Sequence, residues 1–321
     1  MRRLPALALV PLLAACSLIS LDLTPRIEPL REQTVEGRGR AKILLLDISG
    51  FLSDEGGPPS LVIGGPTPPR VPLLVRVREE LTKAAADPEV RALVVRIDSA
   101  GGTVTASDVI YRELLLFKRE TGRPVVAVML DVAASGGYYV ALAADTIIAH
   151  PTSVTGSIGV LMVTLSAEGL LQKLGLSTTT IKSAERKDMG SPLRALTDEE
   201  RKIFQSVIDS LYGQFVEKLA ESRRLGLETA RKVADGRIYT AQQALDLKLI
   251  DRIGYMPDAI EAAKRVIGVE EARIVVYRRP REYRATYYAR SGAPAAAVES
   301  SLARLGAALG AGPRFLYLWW P

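Results

Sequence analysis

Four aliphatic runs decide what this chain can become. They are KILLLDIS (42–49), RALVVRID (91–98), RPVVAVML (123–130) and DTIIAH (145–150). They are short and rich in branched residues, and they do not alternate apolar with polar. Runs of that kind are strands covered on both faces, the mark of a parallel sheet. Helical spacing lies between them at 71–86 and 103–118, and a short helix is predicted over 134–143. Further on, TDEERKIFQSVIDSLYGQFVEKLAESRRL (197–225) places Ile203, Val207, Ile208, Leu211, Phe215 and Leu219 close to a 3.6-residue repeat. Thr197 with Glu200 three residues on predicts a capping box at its start. DGRIYTAQQALDLKLID (235–251) adds a strand and a helix, and no internal repeat is visible. The pattern predicts an α/β fold with a mainly parallel sheet and flanking helices.

The two ends read differently. MRRLPALALVPLLAACSLIS pairs a basic start, Arg2 and Arg3, with an apolar stretch ending in small residues, the layout of a secretory signal. That stretch is too short for an ordinary membrane-spanning helix. LAAC resembles the lipobox of bacterial lipoproteins, which implies cleavage after residue 15 and lipidation of Cys16. The expectation is a lipid-anchored protein of a bacterial envelope, with its folded part outside the cytoplasm. Ser17 lacks the aspartate associated with inner-membrane retention, which leaves both membranes open. Residues 16–40 read as a linker, and the Gly/Pro-rich 56–69 as a mobile loop with an apolar centre. The main domain is predicted at 41–267, followed by a basic and aromatic region at 268–321. Within that region YRRPREYRATYYAR (277–290) reads first as a solvated basic surface. On a lipoprotein, attraction to anionic head groups is the next reading, ahead of a nucleic-acid footprint. The closing FLYLWWP reads either as an interfacial aromatic anchor or as a tail packed on a neighbouring subunit.

Scarcity then narrows the chemistry. The 321 residues hold one cysteine and one histidine, with a net charge of +6. An intramolecular disulfide, a Cys-rich metal site and a His-based metal cluster are excluded. A Ser-His-Asp triad would have to use His150, which sits in TIIAHPTS and reads as a strand-end residue. Two glycine pairs each follow an apolar strand, SAGG at 99–102 and SGG at 135–137. Such turns let backbone N–H groups approach a ligand closely and could supply the two donors of an oxyanion hole. Ser135 in DVAASGGYYVALAA stands among small residues, placed for access rather than packing. With histidine nearly absent, its base must be a carboxylate or a lysine. A lysine must be neutral to accept a proton, and an ordinary pKa of about 10.4 demands desolvation or nearby positive charge. Composition and spacing do not choose among the lysines.

RIDSAGGTVTASD, ASGGYYVALAADTIIAHPTSVTGSIGV and IKSAERKDMGSPLRALTDEER resemble the signal peptide peptidase A family. The likeness continues through SVIDSLYGQFVEKLAESR and ADGRIYTAQQALDLKLID, covers 42–267, and is to the short, single-copy form. It implies a Clp protease/crotonase-type fold and a Ser/Lys dyad without metal or cofactor. Matched by position, Ser135 is the nucleophile, Lys187 the general base with Lys182 its competitor, and Ser157 the residue orienting the lysine. Gly102 and Gly136 match the oxyanion donors. Ala100 stands where the family has proline, which predicts a looser loop with the same donors. The resemblance also implies a ring in which the lysine reaches the serine of an adjacent protomer. The implied function is a membrane-anchored serine endopeptidase acting on cleaved signal peptides and other hydrophobic peptides. The substrate would add a strand beside IGVLMV (158–163). The alternatives are a non-catalytic envelope scaffold and a crotonase-like acyl-CoA enzyme. A nucleic-acid partner is not expected.

Overall fold

A computed structural model describes residues 28–54, 61–62, 65–66, 71–280, 285–289 and 315–319. Strands β1 (Arg31–Gly37) and β2 (Lys42–Leu52) come first, then a two-strand ribbon of β3 (Leu61–Val62) and β4 (Gly65–Pro66). Next α1 (Leu73–Ala86), β5 (Val90–Thr103), α2 (Val104–Thr121), β6 (Val125–Ala134), α3 (Gly136–Ala141) and β7 (Thr146–Ala149) alternate. They are followed by β8 (Val154–Gly156), β9 (Leu161–Met162), α4 (Glu168–Lys173) and the long α5 (Asp198–Arg223). The chain continues through α6 (Leu227–Val233), β10 (Ile238–Thr240), α7 (Ala241–Asp246) and β11 (Arg252–Ile253). It closes with α8 (Met256–Ile267), β12 (Arg273–Arg278) and β13 (Phe315–Leu318).

The main sheet runs β1-β12-β2-β5-β6-β7-β11, parallel throughout except for β1 against β12. Strand alternation explains the aliphatic runs. Leu44, Leu46, Ile48, Leu93, Val95 and Ile97 join the core with residues of α1, α2, α3 and α5. Ile43, Leu45, Ala92, Val94, Val126 and Val128 point the other way, where Ala259, Ile260 and Ala263 of α8 meet them. Both faces exclude water, so both phases of these strands are mostly apolar. Each buried aliphatic side chain contributes about 1.5–3 kcal/mol. One polar pair interrupts the second face: Asp47 and Arg96 are both buried, with Arg96 Nε 2.9 Å from Asp47 Oδ1. Helix signals are obeyed. Thr103 caps α2 by accepting from the Ala106 amide at 3.2 Å, and Thr197 with Glu200 makes the capping box of α5.

The α/β class and mainly parallel sheet expected from the sequence are what the chain forms. The limits 41–267 do not contain the sheet. REQTVEG, read as linker, is β1, and β12 lies between it and β2. β12 also removes part of the basic region from solvent. Tyr277 is fully buried beneath the Lys83 ammonium, 5.3 Å from the ring centroid, and Arg279 pairs with Glu79. His150 is the strand-end residue expected: its Nδ1 lies 2.8 Å from Thr152 Oγ1 and its ring stands edge-on to Tyr255. The FLYL of the tail forms β13 within its own chain, pairing with β5 and β9. Cys16 and most of the 56–69 segment lie outside the described residues.

Candidate active site

Strand β6 runs on past the aliphatic run to Ala134, where β8 pairs with it in parallel, Ala134 opposite Gly156. The chain then reverses into α3, which starts at Gly136 and not at Ala134 as its composition predicts. Ser135 is the elbow, with φ 51° and ψ −115°. Such a backbone costs about 1–3 kcal/mol for a residue with a side chain and persists only when its surroundings enforce it. They do so here. The Ser135 amide donates to the Gly156 carbonyl at 2.7 Å, and the Ser135 carbonyl accepts from the Tyr139 amide at 2.8 Å. The Ser135 side chain is enclosed, 1% exposed, and its hydroxyl has no hydrogen-bond partner among the described residues. An orphaned buried hydroxyl costs about 1–3 kcal/mol. Strain and an unsatisfied hydroxyl at one residue single out Ser135 as the candidate functional position.

The SAGG segment is the end of β5. Gly101 has φ +107°, and a Cβ there would stand 2.9 Å from the Gly136 amide nitrogen. A Cβ on Gly102 would stand 2.0 Å from the Leu52 carbonyl oxygen, so β2 also requires glycine at the next position. The two glycine pairs therefore meet, bringing the backbone of Gly101–Gly102 against the start of α3. Ala100 stands between two residues joined by the Ser99 side chain. Ser99 Oγ donates to the Gly50 carbonyl at 2.6 Å and accepts from the Gly101 amide at 3.1 Å.

Ser157 follows the glycine that grips Ser135. It is buried with φ 49°, and its amide donates to the Arg237 carbonyl at 2.7 Å. The lysines are elsewhere. Lys187 is exposed on the segment between α4 and α5, and no hydrogen bond joins it to Ser135 within the single chain. Lys182 is engaged: its amine donates to the Glu185 carbonyl at 2.6 Å and lies 2.7 Å from Asp188 Oδ1. Arg194, which no motif singles out in the sequence, grips Asp188 at 2.9 Å and pairs with Glu200. Hydrogen bonds from Arg194 and then Lys182 hold the Asp188 carboxyl well below the usual range. Arg194, with the Thr197 amide, lowers Glu200 to about 2. The segment carrying Lys187 is thus pinned to the cap of α5. No described helix is long and apolar enough to cross a membrane.

Residues 117–270 match the model of Peptidase family S49. A Synechocystis sp. protein named as a protease is 42% identical over 192 residues, 60% of this chain and 69% of that one. An Enterococcus faecium protein named as a signal peptide peptidase is 33% identical over 250 residues, 78% of this chain and 71% of that one. Among solved structures, a ClpP1 mutant from Listeria monocytogenes is 17% identical with a TM-score of 0.42, covering 67% of this chain and 94% of that one. By class, then, the chain is a protease. It belongs to peptidase family S49, the signal peptide peptidase A family.

Proposed function

We propose that the protein is a membrane-anchored serine endopeptidase that degrades cleaved signal peptides and other hydrophobic peptides, held to a bacterial envelope membrane by lipidated Cys16. The observation that carries this reading is the strained Ser135 elbow, with its enclosed, unpartnered hydroxyl beside two glycine backbones. Ser135 Oγ attacks the peptide carbonyl carbon while its proton passes to the Nζ of Lys187. The oxyanion forms against the amides of Gly102 and Gly136, each donor being worth about 3 kcal/mol of barrier. Collapse breaks the C–N bond, and Lys187 returns the proton to the departing amine. Water, deprotonated by the same lysine, cleaves the ester and restores Ser135. Ser157 orients the amine.

Lys187 reaches Ser135 from an adjacent copy. Two features support that arrangement. The lysine is exposed in the single chain, where a base must be desolvated. Its segment also displays Leu170, Leu174, Leu176 and Ile181, the last 97% exposed, an apolar surface suited to a protein partner.

A fluorophosphonate probe and intact-mass analysis of the membrane form test the reading together. The expected result is one probe adduct, lost in Ser135→Ala and in Lys187→Met, on a chain that begins at a diacylated Cys16. A non-catalytic scaffold, or an acyl-CoA enzyme using carboxylates, would leave the parent unlabelled. An unmodified Cys16 would remove the anchor.

A further inference from the structure

DGRIYT (235–240) takes part in no step of the proposed chemistry, yet its backbone reaches both strained serines. β8 stands between β6 and β10, with Gly156 opposite Ala134 on one side and opposite Ile238 on the other. One peptide group carries the bonds to both neighbours at the reacting end. The Gly156 carbonyl accepts from the Ser135 amide at 2.7 Å, and the Ser157 amide donates to the Arg237 carbonyl at 2.7 Å. That carbonyl and that amide belong to a single planar unit and point to opposite sides of it. Turning the plane breaks both bonds together. Ser135 and Ser157, with φ 51° and 49°, therefore hang on one plate whose outer side is held by β10.

Tyr239 supports the same plate from below. Gly156 has φ +83°, and a Cβ there would stand 2.5 Å from Tyr239 Cδ2 and 2.9 Å from the Arg237 carbonyl oxygen. The ring thus lies directly on the glycine backbone. Tyr239 is buried, and its hydroxyl donates to the Val233 carbonyl at the end of α6 at 2.9 Å. Burial raises its phenol above the ordinary range, so it stays a neutral donor. Thr155, opposite Tyr239, donates its hydroxyl to the Ala133 carbonyl at 2.7 Å, tying β8 to the strand that ends in Ser135. Both ends of β10 are fixed in turn. The Asp235 carboxylate accepts from the Arg237 amide at 3.2 Å and from Arg237 Nε at 2.7 Å, so the guanidinium folds back on its own turn. What Arg237 offers Ser157 is its carbonyl. Thr240 and Gln243 make the capping box of α7 at the other end.

We propose that β10 is a splint for the reacting end: the Arg237 carbonyl and the Tyr239 ring fix the Gly156–Ser157 peptide plane, and with it the backbones of Ser135 and Ser157, which makes Tyr239 a positioning residue. This rests on the proposed peptidase reading and adds to it a residue that touches neither substrate nor reacting atoms. A shared plane keeps the nucleophile and the hydroxyl that orients the lysine in one fixed relation. A shift of about 1 Å at a reacting group can cost about a hundredfold in rate.

Tyr239→Phe keeps the ring on Gly156, and Tyr239→Leu removes it. The measurements are kcat and KM on a fluorogenic hydrophobic peptide, the melting temperature, and hydrogen exchange in the fragment 131–138, which holds the Ser135 amide. Tyr239→Leu is expected to lose about a hundredfold in kcat with KM within about twofold, the pattern of a misplaced reacting group. Its 131–138 fragment should exchange faster while β2 and β5 exchange at the parental rate, a local opening and not a global one. Tyr239→Phe should keep kcat within about threefold of the parent. A folded Tyr239→Leu chain with parental kcat or parental exchange overturns the proposal, as does a Tyr239→Phe chain equally impaired. If Tyr239→Leu does not fold, Asp235→Ala, in an exposed turn, serves. Faster exchange in 131–138 at a parental melting temperature upholds the proposal there, and parental exchange overturns it. Fluorophosphonate labelling of the parent separates the two readings. An unlabelled parent whose variants still open at 131–138 would leave the splint standing and remove the hydrolase. A labelled parent whose variants exchange as it does would do the reverse.

Discussion

At the scale of single residues, the site depends on missing atoms. Gly101 has φ +107°, and a methyl group there would lie 1.9 Å from the Tyr317 carbonyl oxygen. A left-handed backbone costs a residue with a Cβ about 1–2 kcal/mol before any overlap is counted. The overlap must then push aside either β13 or the donor backbone. Gly101→Ala should therefore fold with a melting temperature a few degrees lower, yet lose about a hundredfold or more in kcat, the scale of a misplaced oxyanion donor. Gly122→Ala is the contrast, because Gly122 has φ +65° but no neighbour within 4 Å of the place a Cβ would take, so only the strain is felt there. A Gly101→Ala enzyme with parental kcat would separate the glycine contact from catalysis. These glycines and Ser135 were legible in the sequence, since small residues clustered after an aliphatic run have few structural uses. The positive φ at Ser135 and Ser157 was not, because serine carries no local signal for it.

At the scale of elements, the segment before α5 is held by ions and not by apolar packing. Arg194 joins Asp188, next to Lys187, to Glu200 in the α5 capping box. Both carboxyls titrate below their ordinary values in the folded chain, Glu200 at about 2. A depressed carboxyl adds stability above its unfolded value of about 4, and loses it as pH falls toward the folded value. The clamp should hold from neutral pH to about 5 and release between about 4 and 2. Pepsin nicking within 182–196 should begin only in that acid window. Arg194→Ala should bring nicking by trypsin-like proteases to pH 7 and lower peptidase activity, while hardly moving the thermal transition of the sheet. An Arg194→Ala chain as resistant as the parent would show that the segment is held some other way. The capping box was legible from Thr197 and Glu200. The ionic clamp was not, because contacts six residues apart have no periodic signature. The same limit hid several strands. REQTVEG is largely exposed in β1, and DVAA extends β6 with small residues next to an exposed Asp131. RIVVYR was absorbed into a run of basic residues.

At the scale of the whole molecule, the proposed serine and lysine are not brought together within a single chain. Ser135 is enclosed at the C-terminal end of β6, whereas Lys187 is exposed and unlinked to it. A base that must shed water needs a second surface to cover it, and the apolar residues beside the lysine provide somewhere for that surface to dock. In the proposed reading a head-to-tail contact of this kind closes into a ring, in which each site would draw serine and lysine from different copies. Mixing distinguishes this from a dyad within one chain. Ser135→Ala and Lys187→Ala proteins, each inactive alone, should regain activity when unfolded, combined in equal amounts and reassembled. In a randomly mixed ring about one interface in four pairs an intact serine with an intact lysine, so recovery should approach about a quarter of the parental rate. Dilution should abolish the activity as the ring dissociates. A mixture that stays inactive, although both variants assemble with each other, would place serine and lysine in the same chain and require the 182–196 segment to fold back over its own elbow.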